Sequence, residues 1–160
     1  MKKLNKTILL VVISCMLLLL VSLPMAFSHC EIPCGIYNDP MRMDMMAEDI
    51  TTIEKSMKEI KELSAQGEKN YNQLVRWIVN KDNHADYFSE IVTQYFMTQR
   101  ITPVAESDEK AYKEYINKLT LLHKMLVYAM KCKQTTDLQN VEQLRACLAQ
   151  FRTAYLGTGS

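Results

Sequence analysis

The chain has 160 residues, enough for one domain with its own hydrophobic core, and a formal net charge of +1. That balance leaves no basic surplus to argue for nucleic acid. Glycine and proline are scarce, at four each, and no repeat, low-complexity tract, Gly-rich phosphate loop or Ser/His/Asp pattern is present.

Lys2, Lys3 and Lys6 precede the continuous apolar run ILLVVISCMLLLLVSL, residues 8–23; Pro24 ends it, and Ala26-Phe27-Ser28 supplies small residues where a signal peptidase reads. This layout predicts a signal peptide over residues 1–28, cut after Ser28 by signal peptidase, and hence an exported protein, periplasmic or extracellular. The run is slightly long for a signal and slightly short for a membrane span, so an uncleaved membrane anchor is the rival. A lipoprotein reading of VISC, ending at Cys15, is opposed by the apolar run that continues past that cysteine. Cleavage removes three lysines and no acid, so the remaining 132 residues carry a formal charge of −2.

Directly behind that cut stands HCEIPCGIY, residues 29–37. Once His29 is the N-terminal residue, its free α-amine and its imidazole can chelate one metal ion. Cys30 adds a thiolate and a backbone amide nitrogen, and Cys34 returns a second thiolate after a tight loop. Pro33 helps fix the turn, and Gly35 permits backbone conformations other residues resist. Two nitrogens and two sulfurs in a plane suit Ni(II) or Cu(II), whereas zinc prefers a tetrahedron. The amine, titrating near pH ~8, must lose its proton to bind, so loading weakens in acid.

Beyond residue 40 the apolar residues recur at helical spacing in four segments. The first carries Met46, Ile50, Ile53, Met57 and Ile60; the second carries Leu74, Ile78, Ala85, Phe88, Val92 and Tyr95, with a polar interruption at Lys81. Tyr112, Tyr115, Leu119, Leu122, Leu126 and Ala129 mark the third, and Leu138, Val141, Leu144, Leu148, Phe151 and Tyr155 the fourth. Each stripe needs a partner helix to cover it. Asp39-Pro40 reads as an N-cap followed by a first-turn proline, Gly67 as a helix end, RITPVAES (100–107) as a break, and Thr136 with Gln139 as a capping box. The expectation is an all-α, antiparallel up-and-down four-helix bundle over residues 38–156, with an N-terminal metal-binding hook at 29–37 and a loose tail at 157–160.

HCEIPCGIY resembles the hook of nickel-containing superoxide dismutases, whose pattern is His-Cys-x-x-Pro-Cys-Gly-x-Tyr at the mature N-terminus. His29, Cys30, Pro33, Cys34, Gly35 and Tyr37 supply all six fixed residues. The resemblance implies one nickel ion per subunit, held by the His29 amine, the Cys30 amide and the Cys30 and Cys34 thiolates, with the His29 imidazole axial in the oxidised state. It also implies superoxide as substrate, turned into O₂ and H₂O₂ by Ni(II)/Ni(III) cycling, a cis Pro33, a homohexamer of four-helix bundles, and Tyr37 as a gate over the open face. An arginine on the second helix lies near the site in the family, and Arg76 matches it by position. Where some members have a carboxylate on the first helix this chain has Met46, with Asp44, Glu48 and Asp49 as substitutes; Glu31 stands for a common Asp, and Asn38 is an extra residue before the helix.

The alternative is a secreted or membrane-anchored helical module that binds or traffics metal without turnover. Cys30 and Cys34 could also form a disulfide after export. Cys132 and Cys147, about eight residues out of register or roughly 12 Å apart along a hairpin, read as two free buried thiols. His84 reads as a loop-facing or surface histidine and His123 as a helix-packing one. Met41, Met43, Met45 and Met46 read as core filler near the hook rather than a Cu(I) site, and YNQLVRW (71–77) as a core or subunit contact.

Overall fold

The computed structural model describes residues 35–157, together with Ser14. Residues 35–157 belong to the second of two compact units, Pro33–Ser160. The predicted signal segment, its cut, His29, Cys30, Pro33 and Cys34 lie outside the described residues.

This unit is an antiparallel four-helix bundle: α1 (Asp39–Ala65), α2 (Tyr71–Glu90, continued by a π-helical segment Ile91–Arg100), α3 (Glu109–Gln134) and α4 (Leu138–Leu156). A single 3-10 turn, Glu68–Asn70, joins α1 to α2. Each helix packs on its sequence neighbour, and α4 returns to α1 and closes the ring. Among the described residues no strand occurs, and no helix is long and apolar enough to cross a membrane.

The ends of the helices are set by local chemistry. The α1 N-cap is Asn38 rather than Asp39: its side-chain oxygen accepts from the Met41 amide at 3.1 Å, and Pro40 sits in the first turn. Asp39 is thereby freed for other partners. Asp137, not Thr136, caps α4, accepting from the Gln139 amide at 3.0 Å. Gly67, at φ 75°, follows the end of α1 and takes the left-handed conformation that halts it.

The core holds Met43, Met46, Ile50, Ile53 and Met57 of α1, Phe88, Val92 and Phe96 of α2, and Leu122, Met125, Leu144 and Phe151 of α3 and α4. The methionine cluster divides: Met43 and Met46 are buried, whereas Met41 and Met45 are exposed. Two stripes differ from expectation. In α3 the buried line runs Leu121, Leu122, Met125, Ala129 and Cys132, leaving Tyr112, Tyr115, Leu119 and Leu126 half-buried. In α2, Ile78 is 38% exposed, and with Tyr71, Val75 and Val79 it forms an uncovered apolar face on the first half of the helix. His123 is exposed rather than packed between helices. Cys132 and Cys147 are buried free thiols. Burial pushes the Cys132 thiol up to about 11 and raises Cys147 as well, which disfavours the thiolate form at both.

Lys81, the polar interruption in the α2 stripe, is only 3% exposed. Its ammonium donates to the Cys132 carbonyl at 2.7 Å, to the Lys133 carbonyl, and to Asp82 at 2.9 Å. It satisfies carbonyls at the C-terminal end of α3, where a cation also suits the helix dipole. Lys81→Ala strands those carbonyls in the interior. Chemical denaturation of that variant is expected to show a loss of about 1–3 kcal/mol, the cost of a buried group left unpaired.

Candidate metal centre and its support

The hook runs into α1 through Tyr37, Asn38 and Asp39, and these three residues are each tied to the bundle. Tyr37, 44% exposed, lies against the Arg100 guanidinium, 4.2 Å from ring centre to Cζ, and meets Tyr95 edge-on at 6.0 Å. The Asn38 amide donates to the Tyr95 hydroxyl at 3.0 Å. Asp39 accepts from the Tyr95 hydroxyl at 2.5 Å, the Tyr155 hydroxyl at 2.8 Å, and Arg100 Nε and Nη2 at 3.0 and 2.6 Å. Tyr95 in turn carries the Arg42 guanidinium on its ring at 5.2 Å.

The π-helical segment makes this convergence possible. Its wider turn shows in bonds between residues five apart: Thr98 Oγ1 to the Thr93 carbonyl at 2.8 Å, Gln99 Nε2 to the Gln94 carbonyl at 2.8 Å, and the Ile101 amide to the Phe96 carbonyl at 2.9 Å. Residues five apart then share a face, so Tyr95 and Arg100 both reach Asp39. Such segments recur at functional sites in other proteins.

The electrostatics follow from this packing. Burial alone would raise the Asp39 carboxyl, but hydrogen bonds from Arg100, Tyr95 and Tyr155 outweigh it and hold the carboxyl below its usual range. Burial and the bond to Asp39 push both phenols, Tyr95 and Tyr155, up to about 12. They stay protonated at any physiological pH and act as donors to Asp39. The hydrogen bond to Asp39 raises Arg100 further.

Tyr37 stands where the hook leaves the bundle. Arg76 stands elsewhere, exposed on α2 in a groove of about 430 Å³ lined by Thr52, Lys55, Gln73, Trp77 and Asn80. Thr52 is thirteen residues along α1 from Asp39, about 20 Å at ~1.5 Å per residue. The arginine beside Tyr37 is Arg100. The carboxylates weighed in place of Met46 are engaged or exposed: Asp44 pairs with Arg152 at 2.7 Å, Asp49 with His84 at 2.7 Å, and Glu48 is exposed. His84 is therefore a half-buried partner of Asp49 inside α2, neither loop-facing nor a free surface group. Burial raises the Asp49 carboxyl despite that pairing. Trp77 is half-buried, with the Lys55 ammonium 5.6 Å from its ring centre.

Asp39, Tyr95, Arg100 and Tyr155 escape the periodicity reading, which takes Asp39 as a cap and the two tyrosines as core positions. The available signal is chemical: a tyrosine on a buried stripe needs a partner for its hydroxyl.

Among the described residues no group of three or more His, Cys, Asp or Glu side chains could hold a metal. The donors HCEIPC (29–34) fit nickel by chemistry, being two thiolates, an imidazole and nitrogens of a free terminus. The bundle near Tyr37 and Asp39 also carries two buried atoms with no partner among the described residues, Arg42 Nε and Gln99 Oε1.

A family model described as nickel-containing superoxide dismutase matches residues 24–158. Neither the curated proteins nor the solved structures give a match.

Proposed function

The chain belongs to the family of nickel-containing superoxide dismutases, and on that premise we propose that it is exported and becomes active only when cleavage after Ser28 frees the His29 amine. It is an oxidoreductase that acts on superoxide and uses nickel. The observation that carries the proposal is the position of HCEIPCGIY, with all six hook residues, directly behind a signal-like segment.

In this reading the His29 amine and imidazole, the Cys30 amide and thiolate and the Cys34 thiolate hold one nickel ion per subunit. Bound there, nickel would supply a one-electron Ni(II)/Ni(III) couple, the chemistry needed to turn two superoxides and two protons into O₂ and H₂O₂. The protein's own residues prepare the site. His29 gives up its amine proton, Pro33 and Gly35 shape the turn, and Tyr37 limits entry to small anions. Tyr95 and Tyr155 hold their protons against Asp39 and are not free to give them to superoxide. Arg100 stands beside the gate, and Arg76 remains the match by position for the family's second-helix arginine. A homohexamer is the proposed assembly, and the uncovered face Tyr71, Val75, Ile78 and Val79 gives it apolar surface to bury. Superoxide is charged and crosses membranes poorly, so an exported enzyme meets superoxide outside the cytoplasm.

The test is stopped-flow decay of superoxide with a chain that begins at His29 and holds one equivalent of Ni(II). Catalysed decay is expected, together with its loss in Cys30→Ser and Cys34→Ser. Nickel that passes to a chelator without any turnover would point instead to a trafficking module.

A further inference from the structure

We propose that Arg100 is a positioning residue, which fixes the ring of Tyr37 and acts on the reaction only through it. The inference rests on the reading of Tyr37 as the gate.

Three observations carry it. The Arg100 Cζ lies over the Tyr37 ring, 4.2 Å from its centre, well inside the reach of a cation–π contact. Its orientation is not free, because Nε and Nη2 both bond Asp39, at 3.0 and 2.6 Å. Asp39 is itself held by the two hydroxyls of Tyr95 and Tyr155. The chain of constraint therefore runs from two buried or half-buried tyrosines on α2 and α4, through one carboxylate and one planar cation, to an exposed aromatic ring.

A second role is available to any arginine near this site, attraction of the superoxide anion. Charge bookkeeping opposes it here. The Arg100 charge is neutralised by a carboxylate at 2.6 Å, so the pair offers an approaching anion little field. A lysine could also balance Asp39, but it has no plane to stack on Tyr37 while forking to a carboxylate. The planar fork is what both contacts require together.

The experiment compares Arg100→Lys, Tyr37→Leu and the double variant with the parent chain beginning at His29. The NMR signals of the Tyr37 ring are read in the nickel-free chain; nickel content and turnover are read in the loaded one. Arg100→Lys keeps a cation beside Asp39, which protects the fold. We expect it to load nickel like the parent, to shift the Tyr37 ring signals towards those of an unstructured tyrosine, and to slow turnover roughly tenfold. The double variant is no slower than Tyr37→Leu alone, because Arg100 has nothing left to act through. Unmoved ring signals, full activity in Arg100→Lys or additive losses would each overturn the proposal. Full activity in Tyr37→Leu would instead sink the gate reading on which it rests.

Discussion

A chain with a single extra residue in front of His29 is expected to lose nickel affinity and superoxide turnover by more than about 100-fold, while the bundle folds as before. The effect turns on one nitrogen. A preceding residue converts the His29 amine into a peptide amide, which can bind only if the metal displaces a proton far harder to remove than that of the ammonium. Removing a group that merely stands behind a metal ligand already costs about 10–100-fold in affinity or activity, and here the ligand itself is lost. The bundle does not depend on that nitrogen, since its core runs from Met43 to Phe151. Isothermal titration with Ni(II) and circular dichroism on the extended and parent chains separate the two effects. Parent-like nickel affinity in the extended chain would mean that the amine is not a ligand.

The largest effect on stability is expected at Asp39. Its side chain is 13% exposed and pairs with an Arg100 side chain that is 28% exposed, so solvent screens the pair only in part. Asp39→Ala leaves a guanidinium and two phenols without their shared acceptor. The expected cost is about 3–5 kcal/mol, the range for removing one member of a buried pair. In a bundle of this size that lowers the melting temperature by about 10 °C or more. The sign of the pH dependence follows from the depressed carboxyl. The folded state binds the Asp39 proton more weakly than the unfolded state, so this stabilisation is fully present above the unfolded value near 3.8. It is lost as pH falls from there through the folded value. Asp39→Asn therefore unfolds at a midpoint that changes less with pH across this acid range than the parent's. Equal slopes for the two proteins would show that Asp39 is not the group responsible.

What could be read from the sequence, and what could not, divides along chain distance. The six hook residues fall within nine positions, so their shared chemistry is visible in the string itself. The helices are visible for a related reason, since their stripes repeat every three or four residues. The Asp39 network joins residues 56, 61 and 116 positions apart, and no local pattern marks it. Its key step is a cap displaced by one residue. Asn38 and Asp39 are both good N-caps, and only the fold shows that Asn38 takes that work and leaves Asp39 to Arg100. The π-helical turn that aligns Tyr95 with Arg100 has no propensity signal of its own. Lys81 illustrates the same limit, because a polar break in an apolar stripe looks like a flaw until the carbonyls of α3 are seen to meet it.

The most direct test of the account is the intact mass, N-terminal sequence and nickel content of the protein purified from its native host without denaturation. The account predicts a chain that starts at His29 and carries about one nickel per subunit, as its donor set requires. A chain that starts at Met1, or at any residue other than His29, would contradict it, because the amine that completes the site would not exist.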